Sequence, residues 1–102
     1  MSLDFTILPE DGSPAQIVAL SMTQHDELIA NARELRLFRI LRFHDYFEDV
    51  DTSPLELPGL QKEIASMQHI ATTKETLAFL CDLYRLIELA ICQRCTIYAI
   101  AD

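Results

Sequence analysis

From Leu77 to Ile91 the apolar residues Leu77, Leu80, Tyr84, Ile87 and Ile91 follow one another at intervals of 3, 4, 3 and 4. That spacing marks one face of a helix. A second stripe, Phe79, Leu83, Leu86 and Ala90, adjoins it, and Glu75, Asp82, Arg85 and Glu88 hold the narrow remainder. An apolar arc this wide needs cover on most sides, so the helix is expected at the centre of the domain. Thr72 or Thr73 is placed to cap it, with Glu75 or Thr76 in its first turn. The stretch falls short of the ~18 residues of a membrane span, and Asp82, Arg85 and Glu88 interrupt it.

The remaining chain supplies the cover. Leu3-Asp4-Phe5-Thr6-Ile7 alternates apolar and polar residues and reads as a strand, which Leu8 extends. Pro9 to Pro14 is dense in turn formers, with Asp11-Gly12 the tightest point, and Gln16 to Leu20 reads as a second strand. Together they predict an antiparallel hairpin. Thr23 and Asp26 resemble a capping box opening a helix whose face is Leu28, Ile29, Ala32 and Leu35. Helical character runs on through Leu37, Phe38, Ile40, Leu41 and Phe43 to about Phe47. Unbroken, that helix would be about 37 Å long. A domain of this size has a gyration radius near ~13 Å, so a bend or break is expected near Leu35 to Leu37. Glu48 to Leu57 reads as a loop. Pro58 suits the first turn of a further helix lined by Leu60, Ile64, Met67 and Ile70 or Ala71. Thr96 to Ala101 closes the chain as a strand. The expected fold is α+β: a small antiparallel sheet, made of the N-terminal hairpin and the C-terminal strand, packed against about four helices.

A chain of 102 residues is expected to form a single domain, residues 1–102. Its formal charge is −8, from 16 acids against 8 bases. Such a field repels nucleic acid, whose binding rests on phosphate neutralisation, and repels anionic membrane surfaces. It attracts a basic protein surface and speeds the encounter. No secretory leader is expected at the amino terminus, which lacks a basic start and an apolar segment. Three cysteines without a secretory context point to reduced thiols and a cytoplasmic location.

No complete catalytic set is legible, so the chain is not expected to be an enzyme. Cys92-Gln93-Arg94-Cys95 is a CxxC, but a zinc site needs four ligands and only Cys81 and scattered histidines remain. A redox pair usually opens a helix, whereas this one closes one. Small apolar residues at a helix-to-strand corner are the plainer reading. His44 and Glu48 stand four apart but make only two metal ligands. Asp49-x-Asp51-x-Ser53 starts like a calcium loop and fails at Pro54 and Leu60. There is no GxSxG and no glycine-rich phosphate loop, since the only glycines are Gly12 and Gly59. No cofactor and no metal are expected. Arg33, Arg36, Arg39 and Arg42 recur every third residue. They form either an anion clamp or, as preferred here, a solvated face whose stems cover Leu35 and Phe38. Arg42 is also placed to neutralise Asp45.

The segment His44-Asp45-Tyr46-Phe47-Glu48-Asp49-Val50-Asp51 is the best functional candidate. Four acids in seven residues repel one another, and two aromatic rings lie among them. Rings bordered by charge are what protein interfaces favour. Asp45, Tyr46, Glu48, Asp49 and Asp51 are the candidate partner-binding residues, with Tyr46 the anchor. The alternative is a solvated acidic loop with Phe47 tucked into the core.

In "SLDFTIL", the loop with Gly12, "HDEL", "FHDYFEDVD" and "IYAIAD" the chain resembles the small immunity proteins of bacterial contact-dependent and type VI secreted toxin systems. The resemblance lies in general layout and carries no fixed functional residue. It implies a cytoplasmic protein without enzymatic activity that neutralises one cognate toxin by binding it. With the acid cluster, it leads to the expectation of an acidic surface that occludes a toxin's active site. A homo-oligomeric structural or adaptor domain, such as a homodimer paired through open sheet edges, is the alternative.

Overall fold

The computed structural model describes residues 2–8, 16–71 and 73–101. The turn expected at Pro9 to Pro14, with Gly12, and the cap option at Thr72 lie outside the described residues. In chain order the elements are β1 (Leu3–Thr6), β2 (Ile17–Leu20), α1 (Met22–Leu35), a 3₁₀ turn (Ile40–Phe43), β3 (Val50–Thr52), α2 (Leu57–Gln68), α3 (Lys74–Gln93) and β4 (Ile97–Ala101). The fold is α+β, with three α-helices and a single 3₁₀ turn among the described residues where about four helices were expected. The sheet has four strands, not three, in the order β2-β1-β4-β3 with every neighbour antiparallel. The radius of gyration is 12.6 Å.

The added strand comes from the segment read as a loop. Val50 and Thr52 are β-branched and turn inward, while Asp51 between them points out. Three residues amid acids and turn formers carry too little periodic signal to be read from sequence. Pairing places Asp51 opposite Tyr98 and Val50 opposite Ala99. Directly opposed residues share a face, so the register divides the sheet cleanly. Leu3, Phe5, Leu20, Ile97 and Ala99 face the helices and are fully buried. Asp4, Ala19 and Ile100 form one outward row, and Thr6, Ile17, Tyr98 and Asp51 the other.

α3 packs against α2, α1 and β2, the central position its composition predicts. Its buried line is Leu80, Leu83, Ile87 and Ala90, flanked by Thr76, Phe79 and Leu86. The arc therefore centres nearer the second stripe, and Leu77 is exposed. Thr73 caps the helix, its hydroxyl accepting from the Thr76 amide at 3.2 Å. Pro58 stands in the first turn of α2 as expected.

α1 begins two residues before the expected box. The Ser21 hydroxyl accepts from the Gln24 amide at 3.3 Å, and the Gln24 side chain accepts from the Ser21 amide at 3.1 Å. Gln reaches back across that turn, which Asp26 is too short to do from Thr23. The predicted break is present. Arg36 adopts the left-handed conformation (φ 57°), and the Leu37 amide closes onto the Ala32 carbonyl at 2.9 Å. Arg94 ends α3 in the same way (φ 55°), with Cys95 bonded back to Ala90. Arginine occupies both positions where glycine is usual.

Because α1 stops at Leu35, the four arginines form no continuous helical stripe. Arg39 pairs with Glu63 at 3.3 Å, and Arg42 pairs with Glu56 at 2.6 Å rather than with Asp45. Phe38 is left exposed, so the stems do not cover it. Gly59 gives Arg39 its seat, since a Cβ there would overlap the guanidinium.

Glu63 fastens the whole connection. It sits buried on the inner face of α2 and accepts from the Arg39 and Ile40 amides, both at 3.1 Å. Those amides stand at the cap and first residue of the 3₁₀ turn, where the helix's own carbonyls do not satisfy them.

Candidate functional site

The segment from His44 to Asp51 leads from the 3₁₀ turn into β3, whose first two residues are Val50 and Asp51, and is not helical. His44 and Glu48 therefore lack the helical spacing that would aim them at one metal. Among the described residues no three His, Cys, Asp or Glu side chains are grouped to hold a metal ion. The CxxC lies at the end of α3, as expected. Cys92 is exposed and Cys95 half-buried, however, so the pair is not a buried corner.

Tyr46, the expected anchor, is the buried ring, and Phe47, which the alternative placed in the core, is the exposed one. Tyr46 is 6% exposed, and its hydroxyl donates to the Leu20 carbonyl at 3.1 Å. Its ring meets His25 edge-on at 5.0 Å. Phe47 stands 61% exposed, edge-on to Tyr46. Tyr46 thus fastens the segment to the end of β2, and Phe47 is the ring the segment displays. The two rings are adjacent in the chain and point apart, one inward and one outward. The buried ring is the one whose hydroxyl finds a partner, the Leu20 carbonyl.

The four acids divide by role. One Asp45 carboxylate oxygen caps the Phe47 amide at 2.9 Å, and one from Asp49 accepts from the Ala101 amide at 2.8 Å, tying the segment to the last strand. Glu48 and Asp51 are exposed and make no side-chain hydrogen bond among the described residues. Arg42 lies close by, donating to the Asp51 backbone carbonyl at 3.0 Å, yet its charge is taken by Glu56. None of the four carboxylates has a Lys or Arg partner among the described residues.

The start of α1 extends this surface. Met22, half-exposed, and Asp26, exposed, face the segment across a shallow depression floored by His25 and Tyr46. Sequence reasoning missed Met22, His25 and Asp26. Their only signal was "HDEL" at the helix start, which carries no information on what folds against it.

No family model, curated protein or solved structure matches the chain. The site is therefore read from its own geometry. Among the described residues no helix is long and apolar enough to cross a membrane.

Two substitutions separate the fastening ring from the displayed one. Tyr46→Phe removes the hydroxyl bonded to Leu20 and is expected to cost about 1 kcal/mol in denaturant unfolding. Phe47→Ala is expected to leave stability within about 0.5 kcal/mol. The reverse order would assign the roles to the opposite rings.

Proposed function

We propose that the chain is an immunity protein that binds a cognate secreted bacterial toxin and occludes its active site with an acidic surface. It acts in the cytoplasm, as a binder and not as an enzyme. The observation that carries this reading is the unpaired charge. Asp45, Glu48, Asp49 and Asp51 lie on one exposed segment around an exposed Phe47, with no basic side chain among the described residues neutralising them. Keeping like charges together is unfavourable for the isolated chain, and a positively charged cleft relieves it. A toxin that handles an anionic substrate presents such a cleft, and the four carboxylates take the place of substrate charge. Phe47 supplies the apolar anchor that Tyr46 does not.

Glu48 and Asp51 give the cleanest test, because Asp45 and Asp49 also hold backbone amides. Glu48→Gln with Asp51→Asn should leave the unfolding midpoint unchanged. It should weaken binding to the toxin encoded beside this gene by about tenfold or more, with a shallower dependence on salt. Unchanged affinity and protection would remove the segment from the mechanism.

The outward sheet face favours a second reading, self-association. Ile17 is 64% and Ile100 46% exposed there. Asp4 and Asp51 on the same face, with a charge of −8 per chain, oppose it. Light scattering across a concentration series decides: a constant monomer mass ends this alternative.

A further inference from the structure

The sheet ends in two edge strands, β2 and β3, and their outer sides differ. In an antiparallel strand each residue turns its N–H and C=O to one side, and the next residue turns them to the other. On β3 the Asp51 carbonyl points out of the sheet to Arg42, at 3.0 Å. Val50 and Thr52 therefore turn to β4, opposite Ala99 and Ile97. Ala101 agrees, since its amide reaches Asp49 on the β3 side at 2.8 Å. Tyr98 and Ile100 then turn to β1, opposite Thr6 and Asp4, which leaves Leu3 and Phe5 turned to β2. Their partners there are Leu20 and Val18. By the same alternation Ile17 and Ala19 turn their backbone groups away from the sheet, on a side where no described strand lies.

An edge with unpaired backbone groups is a template for another strand, and proteins usually blunt it with charge or proline. Arg42 does so on β3. β2, Ile17–Leu20, carries neither. Val18 stands opposite Phe5 and so faces the helices, yet it is only half-buried, whereas Leu20 on the same face is fully buried. Beside this edge Gln16, Ile17 and Val18 border a shallow groove with Asp82 and Arg85 of α3. Those two charged groups lie 3.7 Å apart and are both exposed.

We propose that the β2 edge pairs with the β2 edge of a second copy of this chain, antiparallel about a two-fold axis at Val18. This register sets Ile17 opposite Ala19 of the second copy, and Ala19 opposite Ile17. Those are the residues with outward backbone groups, so each pair exchanges N–H···O=C bonds. Val18 meets its own image on the helix side and is covered by it. On the other face the large Ile17 lies beside the small Ala19. The axis also reverses α3 in the second copy, so Asp82 is set against Arg85 across the groove. Backbone, side chains and charges all match their own image, which is what singles out a second copy over a foreign strand. The net charge of −8 opposes association only weakly at this place. The acidic segment runs into β3, three strand spacings or about 14 Å from β2, and the Debye length at physiological salt is ~8 Å. The pairing is independent of the immunity reading. It leaves the outward sheet face and both acidic segments open, so one dimer can hold two toxin molecules.

The test is sedimentation velocity on the full chain over a concentration series. The native chain is expected to pass from monomer to dimer, and a monomer mass unchanged up to ~1 mM overturns the pairing. Ala19→Pro removes an outward N–H and none of the bonds to β1, a change that an edge strand accepts. It should weaken self-association by about tenfold or more. A second pair of variants does not depend on how Ala19→Pro folds. Asp82→Arg and Arg85→Asp each place like charges across the axis and should each weaken the dimer by about tenfold, while an equimolar mixture of the two dimerises at least as tightly as the native chain. A dimer that survives Ala19→Pro, or single variants that the mixture does not rescue, would mean that the copies meet elsewhere and overturns the assignment. A chain that stays monomeric while Ala19→Pro abolishes toxin binding takes a foreign strand at this edge, which also overturns it. Failure here is distinguishable from failure of the immunity reading. Ala19→Pro should leave affinity for the neighbour-encoded toxin unchanged, and Glu48→Gln with Asp51→Asn should leave dimerisation unchanged.

Discussion

Glu63→Ala should lower the unfolding midpoint by more than about 10 °C, the most a single polar substitution is expected to do here. The carboxylate accepts from two backbone amides, Arg39 and Ile40, and the Ile40 residue is wholly buried. Alanine leaves both amides without an acceptor. An unsatisfied buried donor costs about 1–3 kcal/mol, and two such donors that had bonded a charged group sum to about 3 kcal/mol or more. The Arg39 arm adds little, because that guanidinium is half in solvent. Glu63→Gln separates the contributions. Its side-chain oxygen can still take both amides, so the loss should fall to about 1 kcal/mol. Equal losses for Ala and Gln, measured by denaturant titration, would show that charge and not the acceptor matters.

Phe5→Ala should remove about 3–5 kcal/mol, a large part of the total stability of a domain this size. Phe5 lies on β1, an inner strand of the sheet, and is fully buried. Its ring meets Phe43 of the 3₁₀ turn at 5.1 Å, edge-on, and Phe79 of α3 at 5.7 Å. One side chain therefore joins the sheet, the central helix and the turn from which the acidic segment departs. Phe5→Leu keeps most of the volume and should lose about 1.5 kcal/mol or less. If Phe5→Ala unfolded at the native denaturant concentration, the ring cluster would not be the keystone of this core.

What was legible in the sequence follows the length of each periodic signal. The hairpin, the closing strand, α3 with its Thr73 cap and the break after Leu35 all rest on long patterns or on a size limit, and all are present. β3 is three residues long and gave no period. The cap of α1 shifted because Ser21-x-x-Gln24 makes both bonds and Thr23-x-x-Asp26 cannot. Glu63 did have a signal: it stands between Leu60 and Ile64 on the apolar face of α2. An acid in that place asks for donors, but only the fold shows that Arg39 and Ile40 supply them. The acidic segment was legible as a cluster. The inward turn of Tyr46 and the approach of α1 depend on long-range contacts that no local pattern encodes.

The attachment of that segment has an evolutionary consequence. Its grip on the body of the protein is through Tyr46, Asp49, Val50 and Thr52, and the positions between these, Phe47, Glu48 and Asp51, contribute nothing to the interior. Substitutions at those three positions are expected to leave the scaffold undisturbed, so the binding preference of this surface can change while the architecture stays constant.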